Sequence, residues 1–121
     1  MGPDGLKERT KQFALAVVRL VESLPPVKTS DVLGKQLLRS ATSVGANYRA
    51  ACRARSRADF ISKIAVVEEE ADECLYWLEL LGESGLVSTP ALRTLLKEAD
   101  ELTAIFTAAG KTAKQGWKGQ R

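Results

Sequence analysis

Apolar residues in this chain recur at steps of three and four, in four runs parted by short polar, proline-bearing or glycine-bearing breaks. That step is the period of a helix face, so the pattern commits the chain to amphipathic helices. The first run, Leu6, Phe13, Val17, Val21 and Leu24, stops at Pro25-Pro26, because proline lacks a backbone donor and restricts the residue before it. The second opens after Ser30, read as an N-cap, and carries Leu33, Leu37, Ala41, Val44, Tyr48 and Ala51. The third follows Ser56-Arg57-Ala58-Asp59, which resembles a capping box, and keeps its period through Phe60, Ile64, Val67, Ala71, Cys74, Leu78 and Leu81 to Gly82 and Gly85. The fourth has Thr89 as cap and Pro90 at the first helical position, then Leu92, Leu95, Ala99, Leu102, Phe106 and Ala109 before Gly110.

These signals place helices over about 6–24, 31–55, 57–82 and 89–109, in one domain of residues 1–110, with 111–121 as a basic flexible tail. No alternating β-branched run bounded by turn pairs occurs, so no strand is expected. Three short connections make sequential helices neighbours. The expected fold is all-α, an antiparallel up-down-up-down four-helix bundle.

A chain of 121 residues is long enough for one core. No segment is apolar enough to cross a membrane, and MGPDGLKERTKQ has the wrong order of charge and hydrophobicity for a secretory signal, so the expected location is the cytoplasm. Cys52 and Cys74 stand far apart, outside any metal-ligand spacing, and read as buried reduced thiols. The chain has no histidine, which removes the commonest general base and the nitrogen ligand of a di-iron bundle. No phosphate-binding glycine loop, nucleophile and base pair, or metal spacing is present. Neither enzymatic activity nor a cofactor is expected.

The net charge of +3 conceals an uneven distribution. Residues 1–63 carry 12 Lys and Arg against 5 Asp and Glu, residues 64–110 carry 2 against 10, and residues 111–121 carry 4 against none. The partner of such a chain is either a polyanion or another copy of itself.

The second helix has three distinct faces. At 100° per residue, Lys35, Arg39, Thr42, Ala46, Arg49 and Arg53, with Arg57 if the helix reaches it, fall within roughly 40° of one line. Opposite that basic stripe lie Leu33, Leu37, Val44, Tyr48 and Ala51, facing the core. Between them, Gln36, Ser40, Ser43, Asn47, Ala50 and Ala54 make a face of small or hydrogen-bonding groups, suited to close helix contact inside one chain or between chains, or merely solvated. For the stripe three readings stand: a solvated face, pairing across a subunit boundary with acidic residues of the third helix (Glu68, Glu69, Glu70, Asp72, Glu73, Glu79 and Glu83), or contact with a phosphate backbone. In the last, Lys111, Lys114, Lys118 and Arg121 reinforce the stripe. Stacking groups are nearly absent from the basic face, with Trp117 the one obvious candidate, which disfavours readout of single-stranded bases. Tyr76 and Trp77 read as helix-interface residues rather than a ligand site. The adjacent Glu68, Glu69 and Glu70 diverge around a helix axis and do not converge on a metal ion.

The run Gln36-Leu37-Leu38-Arg39-Ser40-Ala41-Thr42-Ser43-Val44-Gly45-Ala46-Asn47, then Arg55-Ser56-Arg57 with Asp59-Phe60-Ile61, then Glu73-Cys74-Leu75-Tyr76-Trp77-Leu78, resembles the bacterial four-helix-bundle family encoded in intervening sequences of large-subunit (23S) ribosomal RNA genes or as free-standing genes. Its relatives include the accessory variability proteins of diversity-generating retroelements. The resemblance spans roughly residues 6–110, with QLxRSAxSxxAN its most specific part. It implies a homopentamer arranged as a barrel around a central channel. In the retroelement relatives a basic surface binds nucleic acid and the barrel docks a reverse transcriptase, while most other members have no known role. After Asn47, where many members have an acidic residue, this chain reads Tyr48-Arg49-Ala50-Ala51-Cys52-Arg53, which thickens the basic stripe.

The expectation is therefore a non-catalytic homo-oligomeric scaffold that binds structured RNA or DNA through Lys35, Arg39, Arg49, Arg53 and Arg57, assisted by the tail. The competing expectation is a protein-interaction scaffold whose arginines pair with carboxylates of the next subunit and bind no nucleic acid.

Overall fold

Each apolar run becomes one helix. The computed structural model describes residues 2–119, with side chains described as far as residue 116, and shows α1 (Pro3–Glu22), α2 (Lys28–Cys52), α3 (Arg57–Glu83) and α4 (Pro90–Gly119). No strand is present among the described residues. Sequential helices pack on one another most extensively, α2 on α3 and α3 on α4, while α1 lies on α2 and touches α4 lightly. Short turns make each neighbour antiparallel to the last, and the result is an all-α four-helix bundle.

The core is the one the period predicts. Val17, Leu37, Val44, Ile64, Val67, Leu78, Leu81, Leu102 and Phe106 are fully buried. Phe106 packs on Tyr48 with ring centroids 5.4 Å apart and planes tilted by 46°, an arrangement worth about 1 kcal/mol beyond the area it buries. The first turn of α1 is opened by Pro3 at its N-terminal end, and α3 by Ser56, whose Oγ accepts the Asp59 N–H at 3.0 Å. Asp59 reaches back to the Arg55 N–H at 3.3 Å, one residue before the cap, so the expected capping box forms in a displaced version. The α3 to α4 turn depends on two glycines. Gly85 adopts φ +83°, which a side chain disfavours. A Cβ on Gly82 would stand 2.7 Å from Leu92 Cδ2, so glycine there lets α3 and α4 close together.

Four boundaries differ from expectation. α2 starts at Lys28 and not after Ser30: Val27 is the N-cap, without a side-chain bond, and Ser30 is buried inside the helix on the side of Gly34 and Leu37. α2 ends at Cys52, where the Arg53 and Ala54 N–H groups tighten onto Ala50 and Ala51, because Ser56 already caps the next helix. α1 stops at Glu22, short of the expected Leu24. The largest correction concerns α4, which continues through Gly110 to Gly119 where a flexible tail was expected. A glycine in a helix interior costs only about 1 kcal/mol relative to alanine. Here Gly110 faces Ile64, and Gly116 lies under the Arg57 guanidinium, so α3 supports the extension.

A clasp that the sequence did not announce ties the first helix to the last. Arg9 grips Glu98 with two bonds of 2.7 Å and reaches Glu101 at 2.9 Å. The Glu98 bond raises the guanidinium's already high pKa, so Arg9 is permanently charged.

Candidate nucleic-acid interface

The basic stripe of α2 splits into two parts with different neighbours. At its N-terminal part, Lys35 pairs with Asp31 on the same helix at 3.6 Å, both side chains well exposed. Arg39 bridges to α3, bonding Glu73 at 2.9 Å, Glu70 at 3.5 Å and the Ser40 hydroxyl at 3.2 Å. Burial, then Glu73, pushes the Glu70 carboxyl above its ordinary value, and Arg39 only partly offsets this. Arg39 is thus committed to carboxylates of its own chain.

The C-terminal part is different. Arg49 and Arg53 are exposed and form no ion pair with the described residues. They form a ridge between two grooves. One, of about 440 Å³ between α1 and α2, is lined on the α1 side by Lys7 and Lys11 with Asp4 and Glu8, and between the helices by Thr10 and Gly45. The other, of about 530 Å³ beside the α2 to α3 turn, is bounded by Arg55, Asp59 and Lys63. Asp59 is engaged by Lys63 Nζ at 2.6 Å, and that bond first, with Arg55, holds its carboxyl below the usual range. The arrangement follows from antiparallel pairing: Arg39 meets Glu73 across the α2 to α3 contact, and ten residues later Arg49 faces Lys63.

The same pairing polarises the bundle. α1 and α3 begin, and α2 and α4 finish, at one pole, which gathers Lys7, Lys11, Arg49, Arg53, Arg55 and Lys63. The other half has an excess of carboxylates, Glu73, Glu79 and Glu83 among them, alongside the cations Arg19, Lys28, Lys35, Arg93 and Lys97, while Glu98 and Glu101 of α4 reach across to Arg9.

Several expected contributors fall elsewhere. Because α2 ends early, Arg57 is the first residue of α3 and lies over Gly116 of α4, in a different groove with Phe60, Ala109 and Ala113. Lys111 and Lys114 are exposed on α4 and line neither groove beside Arg49 and Arg53. The side chains of Trp117 and Lys118, and all of Arg121, lie outside the described residues. Conversely, Lys7, Lys11, Arg55 and Lys63 were not singled out by the α2 period. Their signal was available in the antiparallel register of adjacent helices, which sets α1 opposite the end of α2.

The small-residue face is used within the chain at Ser40, which is fully buried and joined through Arg39 to α3. Ser43 and Asn47 are half-buried, Gln36 is exposed, and the Asn47 amide donates to its own helix, to the Ser43 carbonyl at 2.8 Å. Tyr76 is 55% exposed and stacks edge-on against Trp77 at 5.1 Å, while the Trp77 Nε1 is buried without an acceptor. The glutamate cluster diverges: Glu68 accepts from Thr107 of α4 at 2.5 Å, Glu70 turns to Arg39 of α2, and Glu69 is exposed. Among the described residues, no group of three or more His, Cys, Asp or Glu could hold a metal ion. Burial, then Glu70 and Glu73, pushes the Cys74 thiol up to about 12, which leaves it protonated and inert at neutral pH. No described helix is long and apolar enough to cross a membrane.

Residues 6–108 match the family described as 23S rRNA-intervening sequence protein. This chain belongs to that family. A crystal structure from Bacteroides thetaiotaomicron, described as a protein of unknown function from the S23 ribosomal protein family, is similar to this 23S rRNA-intervening sequence family member. The two share 34% identity and superpose with a TM-score of 0.81, covering 92% of this chain and 99% of the other. No curated protein matches the chain. Family membership thus accounts for the four-helix fold and leaves the activity to be argued from the surface.

Proposed function

We propose that this chain is a non-catalytic, homo-oligomeric scaffold that binds nucleic acid through the ridge formed by Arg49 and Arg53. The supporting observation is that these two arginines are exposed without a carboxylate partner among the described residues, and are flanked by further cations on both sides. Like charges crowded at one place repel, and a phosphate backbone relieves that repulsion while releasing its own counterions. Arg39, included in the expectation from sequence, leaves the proposed contact set because Glu70 and Glu73 engage it; Lys35 leaves it because it stands fourteen residues before Arg49, about 21 Å along α2.

Self-association, with five copies in a ring, is part of the proposal. Self-association is supported by the exposed Tyr76 and Val66 on α3, while the number of copies rests on the family resemblance alone.

The test is Arg49→Glu combined with Arg53→Glu, assayed by fluorescence anisotropy with labelled RNA and DNA at low salt and by light scattering. Loss of binding with unchanged mass supports the reading. Loss of assembly would show that the arginines pair across subunits. Unchanged binding and mass would reduce the ridge to a solvated face.

A further inference from the structure

We infer that the nucleic acid held by this ridge is double-stranded, and that Lys7 and Lys11 of α1 form one wall of the track for its phosphates. The inference rests on the reading of Arg49 and Arg53 given above and adds the class of ligand and a second helix to it.

The shape comes first. Between the long basic side chains, the groove of α1 and α2 is lined by the small residues Thr10, Ala14, Thr42, Gly45 and Ala46, so the cations stand above its surface. From Thr42 to Arg53 the helix rises about 16 Å, close to five base-pair steps of a duplex. Two acidic residues, Asp4 and Glu8, also line it. Asp4 is fully exposed and 3.9 Å from Lys7, and Glu8 accepts the Gln12 amide at 2.8 Å. Exposed pairs of this kind contribute little and yield readily to a phosphate.

The described surface beside the ridge also lacks what a single strand needs. Proteins that hold single strands combine a basic groove with aromatic side chains on which bases stack. Among the described side chains, no aromatic residue lines either groove beside the ridge. Tyr48 is buried against Phe106, Phe60 lies in the groove of Arg57, and Tyr76 is thirteen residues along α3 from Lys63, about 20 Å away. A duplex keeps its bases stacked internally and presents phosphates outward, which suits a surface of cations alone.

Base-reading groups are turned away as well. The Asn47 amide donates to Ser43, the Gln12 amide to Glu8, and the hydroxyls of Thr10 and Thr42 to carbonyls of Leu6 and Leu38. With those donors occupied, binding follows backbone shape and charge and is indifferent to sequence. Duplex RNA and duplex DNA share this phosphate chemistry.

The experiment uses the full chain and measures anisotropy with duplex RNA, duplex DNA and the corresponding single strands, in two unrelated sequences, over a salt series. Either duplex form should bind about tenfold tighter than its strands, with the two sequences equal. Four cations, Lys7, Lys11, Arg49 and Arg53, predict a salt slope near −4 on duplex DNA, from about −0.9 per phosphate. Lys7→Ala with Lys11→Ala should reduce that slope by about two, whereas Lys111→Ala with Lys114→Ala should leave it unchanged. Single strands bound as tightly as duplex would overturn the duplex inference while leaving the basic ridge as a binding site. An unchanged slope in the Lys7 and Lys11 variant, with helical circular dichroism intact, would remove α1 from the track. No binding of any nucleic acid at low salt would overturn the function proposed above, and this inference with it.

Discussion

Arg39 and Arg49 share one face of one helix, yet the first is bound to Glu73 and Glu70 of its own bundle and the second stands in the open between basic grooves. Helical period told the direction in which both side chains leave α2 and nothing about what crosses that direction. The difference comes from α3, which presents carboxylates at one level and, three turns away, Lys63 and the Arg55 turn. Equal positions in a periodic pattern therefore acquire opposite roles, one holding two helices together and one left for a partner.

The strongest test of that contrast is charge reversal at the open end. Arg49→Glu with Arg53→Glu should weaken nucleic-acid binding by at least about a hundredfold at low salt, as expected when two favourable phosphate contacts become repulsive, with the melting temperature little changed. The closed end should behave in the opposite way. Arg39→Ala should cost about 1 kcal/mol in denaturant unfolding, the upper range for a partly exposed ion pair, and leave anisotropy titrations as they were. Equal effects of both variants on binding would erase the distinction between the two ends.

Glu70→Gln sharpens the comparison further. The Glu70 carboxyl has its pKa raised in the folded chain, by burial and by Glu73, so it favours the fold when protonated. That contribution is fully present below the unfolded pKa and is lost as pH rises through the folded one. Chemical denaturation should find Glu70→Gln at least as stable as the parent at neutral pH, and the parent should gain on the variant as pH falls through the carboxylate range. The smallest effect belongs to Lys35→Ala: its pair with Asp31 is well exposed on both sides, and stability should stay within about 0.5 kcal/mol.

Much of this architecture was legible from residue spacing, because a core face is a local repeat: Ile64, Val67, Ala71, Cys74, Leu78 and Leu81 of α3 are all buried as their steps require. The second-helix stripe was legible too, as a direction. What was not legible depends on residues far apart in sequence. Gly110 reads locally as a stop, and only Ile64 and Arg57 of α3 make it an interior position. Ser30 reads as a cap, but burial beside Gly34 and Leu37 draws it into the helix. Lys7 joins Arg49 in one groove through the fold of the α1 to α2 corner, which no period within either helix contains.

The separation of charge between the two poles bears on speed as well as strength. A body with an excess of cations around Arg49 and Arg53 and an excess of carboxylates around Glu79 and Glu83 carries an electric dipole. In the field of a polyanion it turns as it diffuses, so that encounters arrive with the correct pole leading, and association outpaces that of an evenly charged body. Carboxylates that never touch the ligand would then help to set how quickly it is found.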